Sequence, residues 1–489
     1  MAERSNVLTG FLSVLSGDLG RILVFAAFVP LLVRTVGQAG FGTYAFVMAV
    51  FLPCRKILNF GLFEATKTYA TREEGAEQRS VVATSLALHV GMLLVGLPVI
   101  AVAVTTFAAD AAVRHSLLLV LGALAGEQFY FFGRGVLHAH KREAVVEPLI
   151  PLRSVILATV GLYLAANGYG VPGVFAGFAT GFLLTGLAAT ALAIRASSLS
   201  FPRISDLRRY APALVTFGAP SMVLVLLNVG LYKIDILLVS YYMTPTDTGH
   251  YRAAIQIAEF VWVVSLAMEL VMIQSTSELW ADGRVGEITD LLSRVLRYVV
   301  VFTVLLLAGV FALGESFVTL YFGSGYEASV RPLRVLLPGV MGFAVARVVW
   351  PVVQAGGHLR GIVAATGLAV AINVVLNVAL IPRIGILGAA VATSVAYGLM
   401  GVLHTGVARS VGVRPFVGVP LGRVAVLGAV TCGLLLALEP LVPWYVDLTV
   451  LPLVGLGVYA LGIFGLDVVG VDEVTDLIGQ FLPGSGSEG

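Results

Sequence analysis

Runs of about twenty apolar residues recur from one end of the chain to the other, each about long enough to carry a helix through the hydrocarbon core of a bilayer. A chain built this way cannot cover its surface with polar groups. Of its residues 58% are hydrophobic and 12% are charged, where a soluble domain has roughly a quarter charged. The expected class is therefore an all-α polytopic membrane protein. Hydropathy predicts about fourteen transmembrane helices, near 9–33, 41–61, 80–105, 114–136, 148–166, 171–195, 212–240, 250–274, 294–313, 332–354, 360–381, 385–408, 418–439 and 448–466. Met1–Asn6 is short and the first apolar stretch is too long for a signal-peptide core, so no cleavable leader is expected. Cys54 and Cys432 both fall in expected spans and read as small core residues.

The joining segments orient these helices. Lys67, Arg72 and Arg79 follow the second span, Lys141 and Arg142 the fourth, and Arg195, Arg203, Arg208 and Arg209 the sixth. Arg284 and Arg294 follow the eighth, and Arg409 and Arg414 the twelfth. The alternate segments "AANGYG", "MTPTDTG" and "EPLVPWYVD" carry neither Lys nor Arg. The positive-inside rule places both termini in the cytoplasm, with the chain in the cytoplasmic membrane. On that side "RISDLRRYAP" reads as a short interfacial helix. "VDEVTDLIGQFL" reads as an amphipathic helix packing on protein, followed by a disordered tail.

An internal repeat organises the spans. Around the first outer segment, "LLVRTVGQAGFGTYAFVMAVF" faces "LLVSYYMTPTDTGHYRAAIQIAEF", so that Gly42 and Tyr44 match Gly249 and Tyr251 at an offset of 207. Further on, "ANGYGVPGVFAGFAT" faces "LIPRIGILGAAVATS", with Gly170 and Gly173 matching Gly385 and Gly388 at an offset of 215. Two successive six-helix blocks share one orientation, which predicts lobes related by a pseudo-two-fold along the membrane normal, with a binding site between them. The expected lobes are residues 1–200 and 201–410, with residues 411–489 adding a C-terminal helix pair and tail.

The stretch "NVVLNVALIPRIGILGAAVATSVAYG" resembles the eleventh-to-twelfth helix hairpin of Wzx-type polysaccharide flippases, through Asn373, Asn377, Pro382, Gly385, Gly388, Ala389 and Ala390. "KIDILLVSYYMTPTDTGHYRAA" and "YFGSGYEASVRPLRVLLPG" are similar to that family's seventh-helix segment and its approach to the tenth helix. The order of these segments covers essentially the whole chain. The family belongs to the multidrug/oligosaccharidyl-lipid/polysaccharide exporter superfamily, and the helix pair at 418–466 fits the polysaccharide branch better than the twelve-helix drug exporters. The resemblance implies a secondary-active flippase for a polyprenyl-linked oligosaccharide. Peptidoglycan lipid flippases are also similar. Their basic residues in helices 1 and 2 contact the lipid-linked headgroup, and here Arg21 in "DLGRIL" and Arg55 or Lys56 in "LPCRKIL" are the nearest matches.

Charge within a span costs at least roughly 2.5–3.5 kcal/mol per group on insertion scales, so several such charges call for a shared wet cavity. Helical spacing puts Asp18 with Arg21, Glu127 with Arg134 and His138, and Arg252 with Gln256 and Glu259 on common faces. Asn228, Tyr232, Asp235 and Tyr242 form another stripe, and Arg347 stands seven residues before Gln354. Lys233 and Asp235 lie about 200° apart on a continuous helix and are not expected to pair. Arginine stays charged and grips phosphate oxygens in a bidentate fashion. Substrate-binding candidates are thus Arg21, Arg55, Lys56, Arg134, Lys233, Arg252, Arg347, Asn228 and Gln256. Asp18, Glu127, Asp235 and Glu259 are candidates for coupling to H+ or Na+, and a structural ion pair or a snorkelling side chain is the alternative for each charge. Glu269 lies off its helix's stripe and reads as structural, and His89 as a core histidine.

No G-x-x-x-x-G-K loop and no H-E-x-x-H motif is present, so neither nucleotide, cofactor nor metal is expected, and nucleic acid has no support. The alternatives are a multidrug/cation antiporter of the same superfamily, whose cavity should be acidic, and a membrane-embedded glycan-processing enzyme, which needs a larger catalytic loop. A monomer is expected. Pro53, Pro220 and Pro351 are candidate hinges or local kinks.

Overall fold

The computed structural model describes residues 2–108, 110–197 and 203–468, with side chains from Gly20 onward except at 221–224, 226, 228, 270 and 444. Among the described residues every regular element is helical. That is the expected solution for backbone in lipid, where each peptide group must be satisfied within its own segment. The first helices are α1 (Ala2–Asn59), α2 (Leu62–Arg72), α3 (Gly75–Phe107), α4 (Ala111–Ala139), α5 (Glu143–Val146) and α6 (Leu149–Leu164). They continue as α7 (Gly170–Ser197), α8 (Ile204–Tyr232), α9 (Ile234–Tyr242), α10 (Pro245–Phe260), α11 (Val263–Ala281) and α12 (Val285–Phe322). The last are α13 (Val330–Ala355), α14 (Leu359–Ile384), α15 (Ile386–Ser410), α16 (Leu421–Leu438), α17 (Trp444–Thr449) and α18 (Leu451–Gly465). Nine described helices are long and apolar enough to cross a bilayer, or ten if α10 and α11 form one bent span. The chain is a polytopic all-α membrane protein.

Helix α1 has 58 residues, far more than one crossing needs, and its backbone breaks at Gly37 (φ 69°) between the two spans expected there. Three expectations are corrected. The "RISDLRRYAP" segment is not a separate interfacial helix. It is the first turns of α8, which starts at Ile204 and runs on through Pro212. The helix expected over 212–240 is broken at Lys233 (φ −130°, ψ −21°), so the stripe from Asn228 to Tyr242 does not lie on one continuous helix. The helix expected over 250–274 starts earlier, at Pro245, and bends by 54° between Phe260 and Val263. The C-terminal helix expected at Val471–Phe481 and the tail lie outside the described residues.

The chain forms two compact units, Met1–Gly249 and His250–Gly489. In the first, α4 packs along α7, because Gly126 and Gly186 let the backbones meet. A Cβ on Gly186 would overlap the Gly126 carbonyl. In the second, α13 packs along α15, and Gly401 meets the Gly342 carbonyl in the same way. The offset from Gly186 to Gly401 is 215, that of the repeat. Gly170 (φ 53°, ψ −140°) and Gly385 (φ 62°, ψ −143°) turn the chain into α7 and α15 with nearly the same backbone, one that side chains other than glycine rarely adopt. Tyr44 packs its ring against Phe178 (centroids 6.2 Å apart), and its counterpart Tyr251 shares a hydrogen bond of 3.2 Å with Thr393, the residue 215 positions beyond Phe178. Local geometry thus repeats where the sequence repeats.

Candidate functional site

The glycine contact also sets which way α4 presents its charges. Gly126 and Gly133, seven residues apart, both face α7. One residue further on, about 100° round the helix, Glu127 and Arg134 turn toward other neighbours. Glu127, 1% exposed, is held between two arginines from different helices. Arg55 Nε of α1 stands 3.1 Å from its Oε1, and Arg153 Nη1 of α6 donates to its Oε2 at 2.5 Å. One helical turn and more beyond, Glu147 is fully buried just ahead of α6. Arg134 donates to both its oxygens, Nε to Oε1 at 2.7 Å and Nη2 to Oε2 at 3.2 Å, and His138 Nε2 lies 2.7 Å from Oε1.

Aromatic faces complete the setting. Arg55 lies 5.6 Å from the Phe131 ring, Arg134 5.1 Å from Phe63, and Arg153 4.9 and 4.3 Å from Tyr130 and Phe182. A guanidinium over an aromatic face in a dry setting gains about 2 kcal/mol, which offsets part of its desolvation. Arg21 is exposed and close enough to Arg55 for the two charges to act on each other. Lys56 is exposed beside Arg55. Among the described side chains, Arg21, Arg55, Lys56, Arg134 and Arg153 thus lie around two carboxylates, Glu127 and Glu147, so that cations outnumber carboxylates there.

The second unit holds charge differently. In α10, Arg252 Nη1 lies 3.3 Å from Glu259, seven residues on, and Gln256 between them bonds Tyr321. Arg347 of α13 pairs with Glu269 of α11 at 2.7 Å and lies 5.5 Å from the Phe343 ring. Gln354, on the same helix, accepts from Trp350 Nε1 at 2.5 Å. Each is a one-to-one, part-exposed pair. In the first unit, between α8 and α9, Lys233 sits half-buried in the break, and buried Asp235 accepts the Ile236 N–H at 2.8 Å.

Of the expected site residues, the structure therefore brings Arg21, Arg55, Glu127 and Arg134 into one neighbourhood and Arg252, Gln256 and Glu259 into another. Arg347 is joined to Glu269, and Lys233 and Asp235 share the α8–α9 break. The side chains of Asp18 and Asn228 lie outside the described residues. Sequence reasoning missed Arg153 and Glu147. Arg153 is the lone charge inside "LIPLRSVILATV", and Glu147 precedes two prolines in "EPLIP". A buried charge at the start of an apolar run is the signal that marks both. His89 is fully buried with Nδ1 2.9 Å from the Ser85 carbonyl, a core histidine as expected.

Known proteins share this architecture. A model of the family described as "Polysaccharide biosynthesis protein" matches residues 31–331. The curated protein "Probable low-salt glycan biosynthesis flippase Agl15" of Haloferax volcanii is 23% identical over 170 residues, 35% of this chain. The chain spans only about a third of that relative's length, 36%. The solved structure "Lipid II flippase MurJ, inward closed conformation" superposes with a TM-score of 0.75 at 15% identity, over 97% of this chain and 99% of that one. An "Inward-facing conformation of a multidrug resistance MATE family transporter of the MOP superfamily" superposes at 0.61 and 15% identity, over 85% and 95% of the two chains. At these identities the structures establish the fold alone. The family match covers more than half of the chain, which therefore belongs to the polysaccharide biosynthesis protein family.

Proposed function

We propose that the protein is a secondary-active flippase that carries a polyprenyl-(di)phosphate-linked oligosaccharide across the cytoplasmic membrane. The observation that carries this reading is the excess of arginine over carboxylate among the described side chains around Glu127 and Glu147. A cation exporter gains nothing from it, whereas a phosphoryl anion leaving the headgroup layer needs it. Arg21 and Lys56, both exposed, receive the phosphoryl oxygens. Arg55 and Arg134, held in place by the buried carboxylates, set the positive field behind them. Arg252, Gln256, Arg347, Lys233 and Asn228 contribute from the second half of the repeat. Asp18, Asp235 and Glu259, with Glu127, are the groups from which coupling to H+ or Na+ would draw.

In this reading both termini are cytoplasmic, fourteen helices cross the membrane, and the two six-helix lobes (1–200 and 201–410) rock about a pseudo-two-fold axis so that the cavity between them faces each side in turn. The prenyl chain stays in lipid. An apolar cavity of about 260 Å3, lined by Ile257, Leu305, Val310, Phe317, Leu435 and Leu456 among others, has the chemistry to shelter part of it. The names of the similar proteins, two flippases among them, support the same class. Genetic complementation with lipid analysis tests it. Cells lacking the protein should accumulate cytoplasm-facing lipid-linked oligosaccharide, and Arg21→Ala should fail to clear it at normal expression. An unchanged pool and sidedness in the deletion strain rejects the flippase reading, and full clearance by Arg21→Ala removes Arg21 from the site.

A further inference from the structure

An acidic corner in the second unit belongs to none of the clusters above. Buried Asp447 of α17 accepts a hydrogen bond on Oδ2 from Ser316 of α12 at 2.9 Å. Its Oδ1 is sealed from solvent and has no hydrogen-bond partner among the described residues. A buried carboxylate oxygen costs free energy until a donor reaches it, so this position calls for one. Glu439, half-buried just beyond α16, feels the charges of Asp447, of Glu315 on α12 and of Arg334 on α13. Arg334 donates from Nε to the Phe311 carbonyl at 3.2 Å and lies 5.4 Å from the Phe311 ring. Among the described side chains, three carboxylates against one guanidinium leave the corner net negative. The same residues rim the apolar cavity of about 260 Å3. Leu313 and Phe317 flank Glu315 and Ser316 along α12, Leu448 follows Asp447, and Leu435 lies one turn before Glu439, and all four line that cavity.

Chemistry and depth narrow the ligand. Among the described residues no three acids, histidines or cysteines are placed to hold a metal ion. A primary ammonium carries three N–H donors and meets separated carboxylates one bond at a time. The corner sits where α16 ends at Leu438, beside the segment "EPLVPWYVD", which has neither Lys nor Arg. Tyr445 is exposed there, as aromatic residues are at the level where headgroups meet hydrocarbon. We propose that this corner binds an aminophospholipid of the phosphatidylethanolamine type. Its ammonium enters among Asp447, Glu439 and Glu315, its phosphate meets the Arg334 guanidinium, and part of an acyl chain fills the cavity. A choline headgroup has the charge without an N–H, and a glycerol headgroup has no charge, so neither brings a charged donor to Asp447 Oδ1. A prenyl chain enters the same cavity only with its phosphoryl group held away from these acids.

The full-length protein is purified, exposed to an equimolar mixture of phosphatidylethanolamine, phosphatidylcholine and phosphatidylglycerol, and examined by native mass spectrometry for the lipid it retains. Phosphatidylethanolamine should be retained over each of the others by about fivefold or more. Asp447→Asn keeps the shape of the side chain and its bond from Ser316, and should bring that preference close to unity. Glu439→Gln should reduce it. Gly309→Leu puts a side chain into the cavity at a position where no atom stands within 4 Å of the added Cβ, and should lower retention of phosphatidylethanolamine without touching a charge. Glu287→Gln, an exposed acid at the other end of α12, should keep the wild-type preference. Equal retention of phosphatidylcholine by the wild type, an unchanged preference in both Asp447→Asn and Glu439→Gln, or wild-type retention in Gly309→Leu overturns the proposal.

Discussion

In the first unit Glu127 is shared between Arg55 and Arg153, and Glu147 between Arg134 and His138, whereas in the second unit Arg252–Glu259 and Arg347–Glu269 are one-to-one pairs. Glu127 and Glu147 are sealed from solvent (1% and 0% exposed), while Glu259 and Glu269 are each 28% exposed. The difference is one of helix packing. Glycine contact between α4 and α7 sets the rotation of α4, so its acid meets the ends of α1 and α6 together. The α10 pair is satisfied within its own helix, and the α11–α13 pair joins two helices through single side chains. Sharing makes the first cluster rigid and expensive to disturb. It also leaves cations in excess, which is the feature that a phosphoryl anion can use. The one-to-one pairs neutralise themselves and offer less.

This contrast is breakable by substitution. The largest effect is expected for Glu127→Ala, which strands Arg55 and Arg153 together. A buried charge left without its partner costs about 3–5 kcal/mol, so a steep fall in Tm and in folded yield is predicted. Glu147→Ala, which strands Arg134, should rank close behind. Survival of either variant at wild-type Tm would mean that the cluster is solvated rather than shared. Gly186→Ala is expected next, at about 1–3 kcal/mol, because its methyl group overlaps the Gly126 carbonyl and pushes α4 from α7. Since that contact aims Glu127, loss of transport should accompany loss of stability, whereas Gly401→Ala should cost similar stability with less effect on transport. Equal transport loss in both would show that the glycine contact does not act through Glu127. The smallest effect is expected for Glu259→Gln. That pair is partly solvated, and about 0.5–1 kcal/mol or less is predicted by denaturant titration. A cost as large as that of Glu127→Ala would erase the distinction between the units.

Hydropathy made the spans legible because a lipid-facing helix must be apolar along most of its length. The breaks were not legible. Neither Lys233 nor the bend between Phe260 and Val263 carries the proline or glycine that usually announces one, and tertiary packing decides both. Within the site, periodicity was enough to put Glu127, Arg134 and His138 on one face and to pair Arg252 with Glu259, because those relations live on a single helix. Arg153 and Glu147 belong to another helix and its approach, and no spacing along the chain links them to α4. The same limit hid the Arg347–Glu269 contact, although Glu269 read as structural from its place off the stripe. The repeat behaves in the opposite way. Four matched pairs of residues marked it in the sequence, and the backbone at Gly170 and Gly385 and the glycine contacts at Gly186 and Gly401 extend it.

The central claim is that the excess arginines of the first unit bind the phosphoryl group of the transported lipid. The most direct measurement is binding of a polyprenyl diphosphate to the purified protein by native mass spectrometry, comparing Arg21→Gln and Arg55→Gln with Arg252→Gln. A lost charge-assisted hydrogen bond is worth about 1.5–3 kcal/mol, so Arg21→Gln should weaken binding about tenfold or more, Arg55→Gln, which removes positive field behind it, by less, and Arg252→Gln least. Wild-type affinity in both first-unit variants, or a greater loss in Arg252→Gln, would contradict the account.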